Sequence, residues 1–448
     1  MIQKYLYISL LGLLLAAVAC HKNTITPTGN GNDTTTTGSK PASISIVSIR
    51  PISGPYNTID TITVSGFDAQ SAPDSVLLNG KKLTMLSYSA NELVVKITLL
   101  AGTGDIDVWF KGKMYQGPLY TYDSVLMVTT IAGTTDSGDV DGKGNMARFY
   151  NPVGISLDGS GNLYVVDQYG PTIRKIDTGG NVTTIAGTHD VYGFADGAGA
   201  AAEFSYPLGL CMGPDGFLYV ADQYNFRVRK MSTTGMTSTL AGIFWTGGPL
   251  TGEVDGPASV ATFDNPWDVT SDKQGNIYVA DEFNNRIRKV TPAGVVSTFA
   301  GGDYYHYGDQ DGQGTAALFW GPANITTDPT TGNMYELDGS CLRKITPDAA
   351  VTTLQGPTAT GYLSNGNGLF SAGALACDKN GNLFFDNFYG MMKMTPDGTI
   401  SRYAVNSGTS GVDGPVPQAS FGANRMVIDA SGTLYFTDNN RVRKMAWQ

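Results

Sequence analysis

The amino-acid sequence predicts an all-β protein in which a small β-sandwich precedes a six-bladed β-propeller. Only 15% of the 448 residues are charged, whereas 57 are glycine and 23 are tyrosine, a composition that favours short strands and tight turns over helices. The segment GNLYVVDQYGPTIRKI at residues 161–176 recurs in five further variants. The copies stand about 50 to 60 residues apart, the length of one four-stranded blade. Their second strands end at Asp167, Asp222, Asp281, Asp338, Asn387 and Asp438.

Residues 1–20 predict a lipoprotein signal peptide. Lys4 precedes an apolar run, Tyr5–Ala19, which is short for a membrane span and typical of an export signal. Residues 17–20 (AVAC) resemble the lipobox of bacterial lipoproteins, and this resemblance implies lipid attachment at Cys20. An ordinary cleavage site that happens to precede a cysteine is the alternative. Because His21 rather than Asp follows the cysteine, we expect an exported outer-membrane lipoprotein on the surface or periplasmic face.

Residues 21–42 are rich in Thr, Gly and Asn without apolar periodicity, and they predict a disordered tether. Residues 43–123 then show short alternating strands, which predict the β-sandwich. The pair Asn79-Gly80 predicts a two-residue hairpin, since both residues tolerate positive φ. The strand candidates are Ile44–Ile49, Thr61–Val64, Ser75–Leu78, Leu93–Ile97 and Ile106–Phe110.

The sandwich segment resembles an IPT/TIG domain. The similarity rests on IRPISGP at Ile49–Pro55, on ITVSGF at Ile62–Phe67 and on the strand from Val76 to Gly80. The resemblance implies an immunoglobulin-like fold that serves as a spacer or interaction module and carries no catalytic residues.

Residues 124–448 carry the repeats. A full unit has Ala-x-Phe, a first strand, an Asp-x-x-Gly-Asn turn, a second strand ending in Asp, and a third strand with Arg-Lys, and the fifth unit departs from it at Gly368, Asn387 and Met392. These units resemble NHL repeats, and six of them imply a six-bladed propeller. The last unit ends after its third strand, and an orphan VTTIAG segment stands at Val128–Gly133. We therefore expect this N-terminal strand to complete the last blade and close the ring, which removes exposed sheet edges.

Aromatic residues concentrate in the connections between blades and directly after the second strands. Strand alternation places both locations on one face of the propeller, where exposed aromatic planes edged by Asp and Asn suit sugar binding. Packing of these rings between blades is the alternative, and the Phe of each Ala-x-Phe is predicted to be such a wedge. The connections also contain Tyr150, Tyr192 and Tyr206. The ligand-binding candidates are Trp245, Trp267, Tyr304, Tyr305, Tyr307, Trp320, Tyr169, Tyr224 and Phe283.

The recurring acidic residues predict structure rather than chemistry. The second-strand Asp recurs with a third-strand Arg, as in Asp167 with Arg174, and such pairs are expected to be buried and structural. Asp-Gly pairs such as Asp141-Gly142 are expected to be turns, and calcium (Ca²⁺) ligation is the alternative. No other cofactor is expected. Cys211, Cys341 and Cys377 are predicted to be buried free thiols.

Composition also limits the function. The net charge of −10 argues against a nucleic-acid partner. The chain has three histidines, and no predicted inner strand carries one, which disfavours a zinc enzyme. The layout resembles that of glycan-capture lipoproteins of Bacteroidetes-type bacteria, and it implies non-catalytic binding of poly- or oligosaccharide with membrane contact only through lipid. A protein-binding scaffold or adhesin is the first alternative. A metal-dependent lyase or lactonase is the second.

Overall fold

The computed structural model describes residues 44–54, 58–68, 70–98, 101–243, 252–303, 305–338, 341–355, 373–387, 390–405, 411–416 and 418–448. The predicted signal peptide and tether, with Cys20, lie outside these ranges, as do Trp245 and Tyr304.

Residues 45–122 form two facing sheets around one apolar core. Their strands are β1 (Ser45–Arg50), β2 (Ser53–Gly54), β3 (Ile59–Ser65), β4 (Ser75–Leu78), β5 (Lys81–Lys82), β6 (Thr84–Tyr88), β7 (Glu92–Lys96), β8 (Gly104–Phe110) and β9 (Lys113–Tyr122). One sheet has the order β1-β3-β7-β6, and the other has the order β2-β9-β8-β4-β5. Alternate residues such as Ile62, Leu93 and Val108 are fully buried between them.

The predicted hairpin and all five predicted strands are present in the sandwich. Asn79 and Gly80 have φ of 48° and 72°, as the two-residue turn between β4 and β5 requires. Strands β6 and β9 were not among the predicted strands. Four of the five side chains of β6 and half of those of β9 are exposed, so little apolar alternation marks these strands in the sequence.

The propeller consists of six blades, each with strands in antiparallel order from the axis outward. A closing strand, β10 (Leu126–Gly133), comes first in the chain. Blade 1 has β11 (Gly142–Lys143), β12 (Pro152–Leu157), β13 (Leu163–Asp167), β14 (Thr172–Ile176) and β15 (Asn181–Ala186). Blade 2 has β16 (Gly197–Ala198), β17 (Pro207–Met212), β18 (Leu218–Asp222), β19 (Arg227–Met231) and β20 (Met236–Ala241). Blade 3 has β21 (Pro266–Ser271), β22 (Ile277–Asp281), β23 (Arg286–Val290) and β24 (Val296–Ala300).

The remaining blades repeat this plan. Blade 4 has β25 (Gly312–Gln313), β26 (Pro322–Thr327), β27 (Met334–Asp338), β28 (Cys341–Ile345) and β29 (Ala350–Gln355). Blade 5 has β30 (Leu375–Cys377), β31 (Leu383–Asn387), β32 (Gly390–Met394) and β33 (Ile400–Val405). Blade 6 has β34 (Gly414–Pro415), β35 (Arg425–Ile428), β36 (Leu434–Asp438) and β37 (Arg441–Trp447), and β10 is its fourth long strand.

Closure by the N-terminal strand is confirmed. Strand β10 pairs antiparallel with β37, from Leu126 opposite Trp447 to Gly133 opposite Arg441. The inner strands contact one another in sequence around the axis, and β35 contacts β12 to complete the ring. The ends of the propeller segment are therefore held together by backbone hydrogen bonds.

The Ala-x-Phe elements are the predicted wedges between blades. Phe149, Phe204, Phe319 and Phe421 are fully buried, and Phe263 is nearly so. Each core cluster of the propeller joins neighbouring blades, as where Tyr164 and Val166 of blade 1 pack with Leu210 of blade 2. This continuous packing makes the propeller a rigid support for the connections between its blades.

Helical structure in the described ranges consists of 3₁₀ turns at Gly144–Met146, Gly199–Ala201, Gln223–Asn225, Glu282–Asn284 and Gly314–Ala316. Within those ranges, no helix has the length and apolarity needed to cross a membrane. Cys211 is partly buried, Cys341 and Cys377 are buried, and all three are free thiols.

Candidate functional site

The connections between blades and the ends of the second strands lie on one face of the propeller. In blade 1, for example, Pro152 at the start of the inner strand stands opposite Asp167 at the end of the second strand. The same antiparallel pairing joins Pro207 to Asp222 in blade 2. We call this surface the loop face.

A buried ion pair lies beneath the loop face in five blades. The guanidinium groups of Arg174, Arg229, Arg288, Arg343 and Arg443 are fully buried. Nη1 of each lies 2.5–3.3 Å from the second-strand Asp, and Nη2 lies 2.6–3.3 Å from the Asp of an Asp-Gly pair. The predicted structural pairing is confirmed. We call this arrangement the Asp–Arg lock.

The lock also fixes the connections that carry the candidate aromatics. The second carboxylate oxygen of Asp167 accepts the backbone N–H of Tyr150 at 2.7 Å, and that of Asp338 accepts the backbone N–H of Trp320. Burial raises the pKa of Asp167 to about 7, and the Arg174 guanidinium opposes this rise. A buried structural pair thus fixes the backbone of Tyr150 and of Trp320.

Five tyrosines of blades 1 and 2 form one continuous exposed surface, which we call the tyrosine cluster: Tyr150, Tyr169, Tyr192, Tyr206 and Tyr224. Ring centroids are 5.7 Å apart for Tyr150–Tyr169, 6.1 Å for Tyr169–Tyr206, 5.4 Å for Tyr192–Tyr206 and 4.6 Å for Tyr206–Tyr224. Tyr206 therefore contacts three others, and the four around it remain 40–53% exposed. Such spacing is that of favourable aromatic pairs.

Backbone hydrogen bonds hold these tyrosines in place. The N–H of Tyr169 donates to the Tyr150 carbonyl at 3.1 Å, and the Tyr192 hydroxyl donates to the Tyr169 carbonyl at 2.9 Å. Tyr206 adopts φ of 50°, a left-handed conformation that is rare for a bulky residue. The same repeat position holds Asn151 in blade 1 and Asn265 in blade 3, both also at positive φ. Blade 2 thus keeps a strained tyrosine where its neighbours have asparagine.

A histidine borders the tyrosine cluster. The His189 ring lies 6.2 Å from that of Tyr150, with Nδ1 3.5 Å from Asp139 and Nε2 3.4 Å from Asp190. Burial raises the pKa of Asp139, and Arg174 and His189 oppose this rise. The border of the cluster therefore offers carboxylate and imidazole groups beside phenol hydroxyls.

A second aromatic region lies over blades 3 and 4, and we call it the Trp320 group: Phe283, Tyr305, Tyr307 and Trp320. Tyr307 and Trp320 meet edge to face with centroids 4.8 Å apart. Asn285 accepts the backbone N–H of Gly321 at 3.0 Å, which places the Phe283 turn beside Trp320. Tyr305 is 76% exposed and Trp320 is 57% exposed.

Two partly buried acids lie near the Trp320 group. Burial raises the pKa of Glu282 to about 7, the hydrogen bond from Asn265 opposes this rise, and Asp264 adds to it. Burial, with a smaller contribution from Asp281, raises the pKa of Asp264 to about 6. Blades 1 and 2 carry Gln168 and Gln223 at the position of Glu282.

Trp267 lies half-buried in inner strand β21, near the axis rather than within either aromatic region. Its buried indole N–H has no hydrogen-bond partner among the described residues.

The next residue, Asp268, lies 3.6 Å from Arg425 of blade 6, so this ion pair spans opposite blades. A Cβ on Gly209 would lie 2.1 Å from the Asp268 carboxylate, so glycine there makes room for it. The sequence did not predict this ion pair. The equivalent position of the inner strand is occupied in blades 1 to 6 by Gly, Gly, Asp, Asn, Ala and Arg, so the two charges are a departure from the repeat.

The Asp-Gly pairs are not turns, which corrects the sequence interpretation. Gly142, Gly197, Gly312 and Gly414 begin short edge strands, and the preceding carboxylates bind the lock arginines. Asp141 also accepts the Thr184 N–H at 3.0 Å. Across the ranges that the structure describes, no group of three or more His, Cys, Asp or Glu is placed to hold a metal ion.

The opposite face consists of the predicted Asp-x-x-Gly-Asn turns. Asp158 accepts the backbone N–H groups of Ser160 and Asn162 and the side-chain amide of Asn162. Partial burial raises the pKa of Asp158, but these hydrogen bonds outweigh it and lower the pKa overall. Because these hydrogen bonds are made within its own turn, the Asp158 carboxylate stabilises the turn rather than binding a ligand.

Comparison with known proteins identifies the repeats. Residues 133–196 match the teneurin NHL domain, and residues 204–231 and 263–290 match the NHL repeat. Over 107 residues the chain is 40% identical to human NHL repeat-containing protein 2, which covers 23% of this chain and 15% of that relative. The chain thus spans only a small part of that relative's length.

Two solved structures align over most of the chain. One is an auxiliary nutrient binding protein from Bacteroides ovatus, with 16% identity, a TM-score of 0.45 and coverage of 91% of this chain and 99% of that one. The other is virginiamycin B lyase from Staphylococcus aureus, with 14% identity, a TM-score of 0.43 and coverage of 87% and 99%. At this level of similarity, neither protein identifies a ligand or a reaction for this chain.

Proposed function

We propose that this propeller of NHL repeats is a non-catalytic binding module that captures a poly- or oligosaccharide on its tyrosine cluster. The observation that carries the proposal is the chain of contacts that links five tyrosine rings, four of them 40–53% exposed, with the backbone of Tyr150 held by the Asp–Arg lock. Sugars present apolar ring faces that stack on aromatic planes and hydroxyls that need donors and acceptors. Phenol groups supply both.

The strained backbone at Tyr206 supports a functional role for this surface. Left-handed φ at a bulky residue costs about 1–3 kcal/mol, persists only where the surrounding structure imposes it, and is concentrated at functional sites. Asparagine occupies this position in the adjoining blades without that penalty, since it tolerates such φ. Retention of a tyrosine at the centre of the cluster therefore favours ligand contact over packing.

The module would act at the cell envelope. Lipid attachment at Cys20, the tether and the IPT/TIG-like sandwich would carry the propeller away from the outer membrane, as the sequence predicts. The test is metabolic labelling with a radiolabelled fatty acid in cells that express the wild type or Cys20→Ala. Label should appear in the wild type only.

Affinity electrophoresis of the full chain against a panel of polysaccharides, with and without EDTA, tests the binding role. Retardation by one class of glycan, lost in Tyr206→Asn and retained in Tyr305→Ala, supports the proposal. Loss of retardation with EDTA would point instead to calcium-dependent binding.

The alternatives predict different results. Exposed tyrosines also suit protein partners, since they are enriched at protein interfaces. No retardation by any glycan, together with capture of an envelope protein that Tyr206→Asn abolishes, would favour the scaffold or adhesin. Turnover of a lactone or of a polysaccharide that a chelator abolishes would favour the lyase or lactonase.

A further inference from the structure

A cleft at the boundary of blades 2 and 3 contains Arg227, a cation that makes no ion pair with any residue that the structure describes. The cleft has a volume of about 510 Å³, within the range of small-ligand sites, and its lining includes Phe194, Asp196, Arg227 and Ser259. Arg227 makes no ion pair within the part of the chain that the structure describes. Its Nε is buried and has no hydrogen-bond partner there.

The equivalent arginines of two other blades each have a carboxylate partner, and Arg227 has none within the described ranges. Arg286 and Arg441 occupy its position in blades 3 and 6, as the first residue of the third strand. Arg286 lies 3.3 Å from Glu253 and also donates to the Gly302 carbonyl. Arg441 lies 3.6 Å from Asp438 and donates to the Gly411 carbonyl at 2.8 Å. Of these three arginines, Arg227 is thus the one that has no carboxylate partner.

A single substitution in the repeat explains the difference. Glu253-Val254-Asp255 of blade 3 aligns with Phe194-Ala195-Asp196 of blade 2, because Arg288 and Arg229 bind these two segments in the same way. Phe194 therefore replaces the carboxylate that would neutralise Arg227. The guanidinium instead stacks on the Phe194 ring at 4.3 Å. Stacking by its face leaves its terminal Nη donors, which are not buried as Nε is, available for a planar anion.

The carboxylates nearest to Arg227, Asp196 in the lining of the cleft and the buried Asp222, are already engaged. Asp196 lies 2.8 Å from Arg229 and accepts the Thr239 hydroxyl at 3.1 Å. Asp222 lies 2.7 Å from Arg229 and also accepts from Asn225. Neither carboxylate contacts Arg227, but Asp196 disfavours a polyanion such as a phosphate diester. A ligand with a single carboxylate and several hydroxyls fits this cleft better.

The cleft adjoins the tyrosine cluster. Tyr192 and Phe194 are two residues apart on the same connection, so their Cα atoms are at most about 7 Å apart. Ser259 adds an exposed hydroxyl on the blade 3 side. A saccharide stacked on the cluster can therefore extend one residue toward Arg227.

We propose that Arg227 binds the carboxylate of an acidic sugar, and that the ligand of this propeller is a saccharide containing uronic acid. This inference rests on the proposed function and names its ligand class. The net charge of −10 does not oppose it at physiological ionic strength, because exposed charges beyond about 8 Å are screened.

Calorimetric titration of the full chain with galacturonic acid oligosaccharides and with their methyl esters tests the inference. The two ligands share the same sugar rings and hydroxyls, and the ester replaces each carboxylate by an uncharged group that is one methyl larger. Because charge-assisted hydrogen bonds contribute more than neutral ones, the acid should bind about tenfold more tightly. Arg227→Gln should remove this preference and leave binding of the ester unchanged.

Two further variants make the test specific. Phe194→Glu reproduces the arrangement of blade 3, so an internal carboxylate should neutralise Arg227 and abolish the preference without unfolding. Lys273→Gln removes an equal charge from the exposed turn of the opposite face and should change nothing. A preference that survives both Arg227→Gln and Phe194→Glu would overturn the assignment to this cleft.

The outcomes separate the two proposals. Equal binding of acid and ester by the wild type would overturn the uronic acid inference and leave saccharide binding intact. Failure of both to bind would count against the proposed function as well. Nuclear magnetic resonance of the Arg227 Nε–H gives an independent readout, since galacturonate should shift this signal even in Tyr206→Asn. An unmoved signal would overturn the inference.

Discussion

The tyrosine cluster and the Trp320 group occupy one face of the propeller and use the same repeat positions, but their surroundings differ. Tyr150 and Trp320 are equivalent residues, and a lock aspartate accepts the backbone N–H of each. In the tyrosine cluster, five rings meet in sequence and the neighbouring second-strand end is a neutral glutamine, Gln168. The Trp320 group has one close ring pair and the ionisable Glu282 at that position.

This difference shows how the scaffold and its specificity are separated. The repeat supplies the same buried lock under both regions, so the position of each exposed residue is conserved from blade to blade. What each region can bind is decided by the side chains that differ between blades, such as Tyr206, Glu282 and Phe194.

The largest effect should come from the lock, on which both regions depend. Arg229→Met leaves Asp222 buried without its ion pair, so the free energy of unfolding should fall by about 3–5 kcal/mol. Urea denaturation measures this loss. The double variant Asp222→Asn/Arg229→Met should recover part of it, because blade 5 carries Asn387 and Met392 at these positions. A loss below about 1 kcal/mol would show that the lock does not support the loop face.

Tyr206→Asn should separate binding from stability. Removal of the central ring should weaken saccharide binding by about 2 kcal/mol, as expected for a central aromatic contact. Asparagine relieves the left-handed strain, so the free energy of unfolding should stay level or rise by about 1 kcal/mol. Calorimetry and urea denaturation together measure both. Loss of binding through unfolding alone would contradict this expectation.

The acid of the Trp320 group should make stability depend on pH. The folded-state pKa of Glu282, about 7, exceeds its ordinary value of 4.5. The contribution of this group is therefore fully present below about pH 4.5 and is lost as the pH rises through 7. In the wild type, the free energy of unfolding should therefore fall by on the order of 1 kcal/mol between these two pH values, and Glu282→Gln should abolish this fall.

Blade 1, which carries part of the tyrosine cluster, offers the variant that is the converse of Glu282→Gln. Gln168→Glu places a carboxylate at the equivalent position, where Asn151 donates to Gln168 at 2.8 Å. This variant should introduce the same fall in stability with rising pH. Urea midpoints at pH 4.5 and pH 8 measure both variants, and an unchanged pH dependence in each would contradict the role of this position.

The smallest effect should come from Trp320→Ala. If the tyrosine cluster is the primary site, this change should weaken saccharide binding by less than about 0.5 kcal/mol, since contacts outside a central patch contribute little. Calorimetric titration of Trp320→Ala and of Tyr206→Asn with the same saccharide measures the difference in their binding. Equal losses in the two variants would show that both aromatic regions form one site.

Sequence alone was sufficient for the architecture, because repeats carry their own evidence. Six in-phase copies predicted the blades, and the orphan VTTIAG strand predicted closure, which the pairing of β10 with β37 confirms. The Ala-x-Phe wedges and the Asp–Arg pairs were also predicted, since a residue that recurs in phase has a repeated structural environment. The IPT/TIG resemblance and lipid attachment at Cys20 stay predictions.

The candidate site needed the tertiary structure. Sequence reasoning placed all five tyrosines on the loop face, but it named only Tyr169 and Tyr224 as binding candidates. Their contacts with Tyr150, Tyr192 and Tyr206 became evident only in the structure. The Asp-Gly pairs read as turns because local preference for turns is strong, whereas long-range arginines fix them as clamps. Periodicity reports which residues repeat, but contacts across blades depend on packing distances that no single repeat encodes. That Arg227 makes no ion pair within the described ranges is also a property of the tertiary structure, since it shows only when equivalent positions of the blades are compared in space.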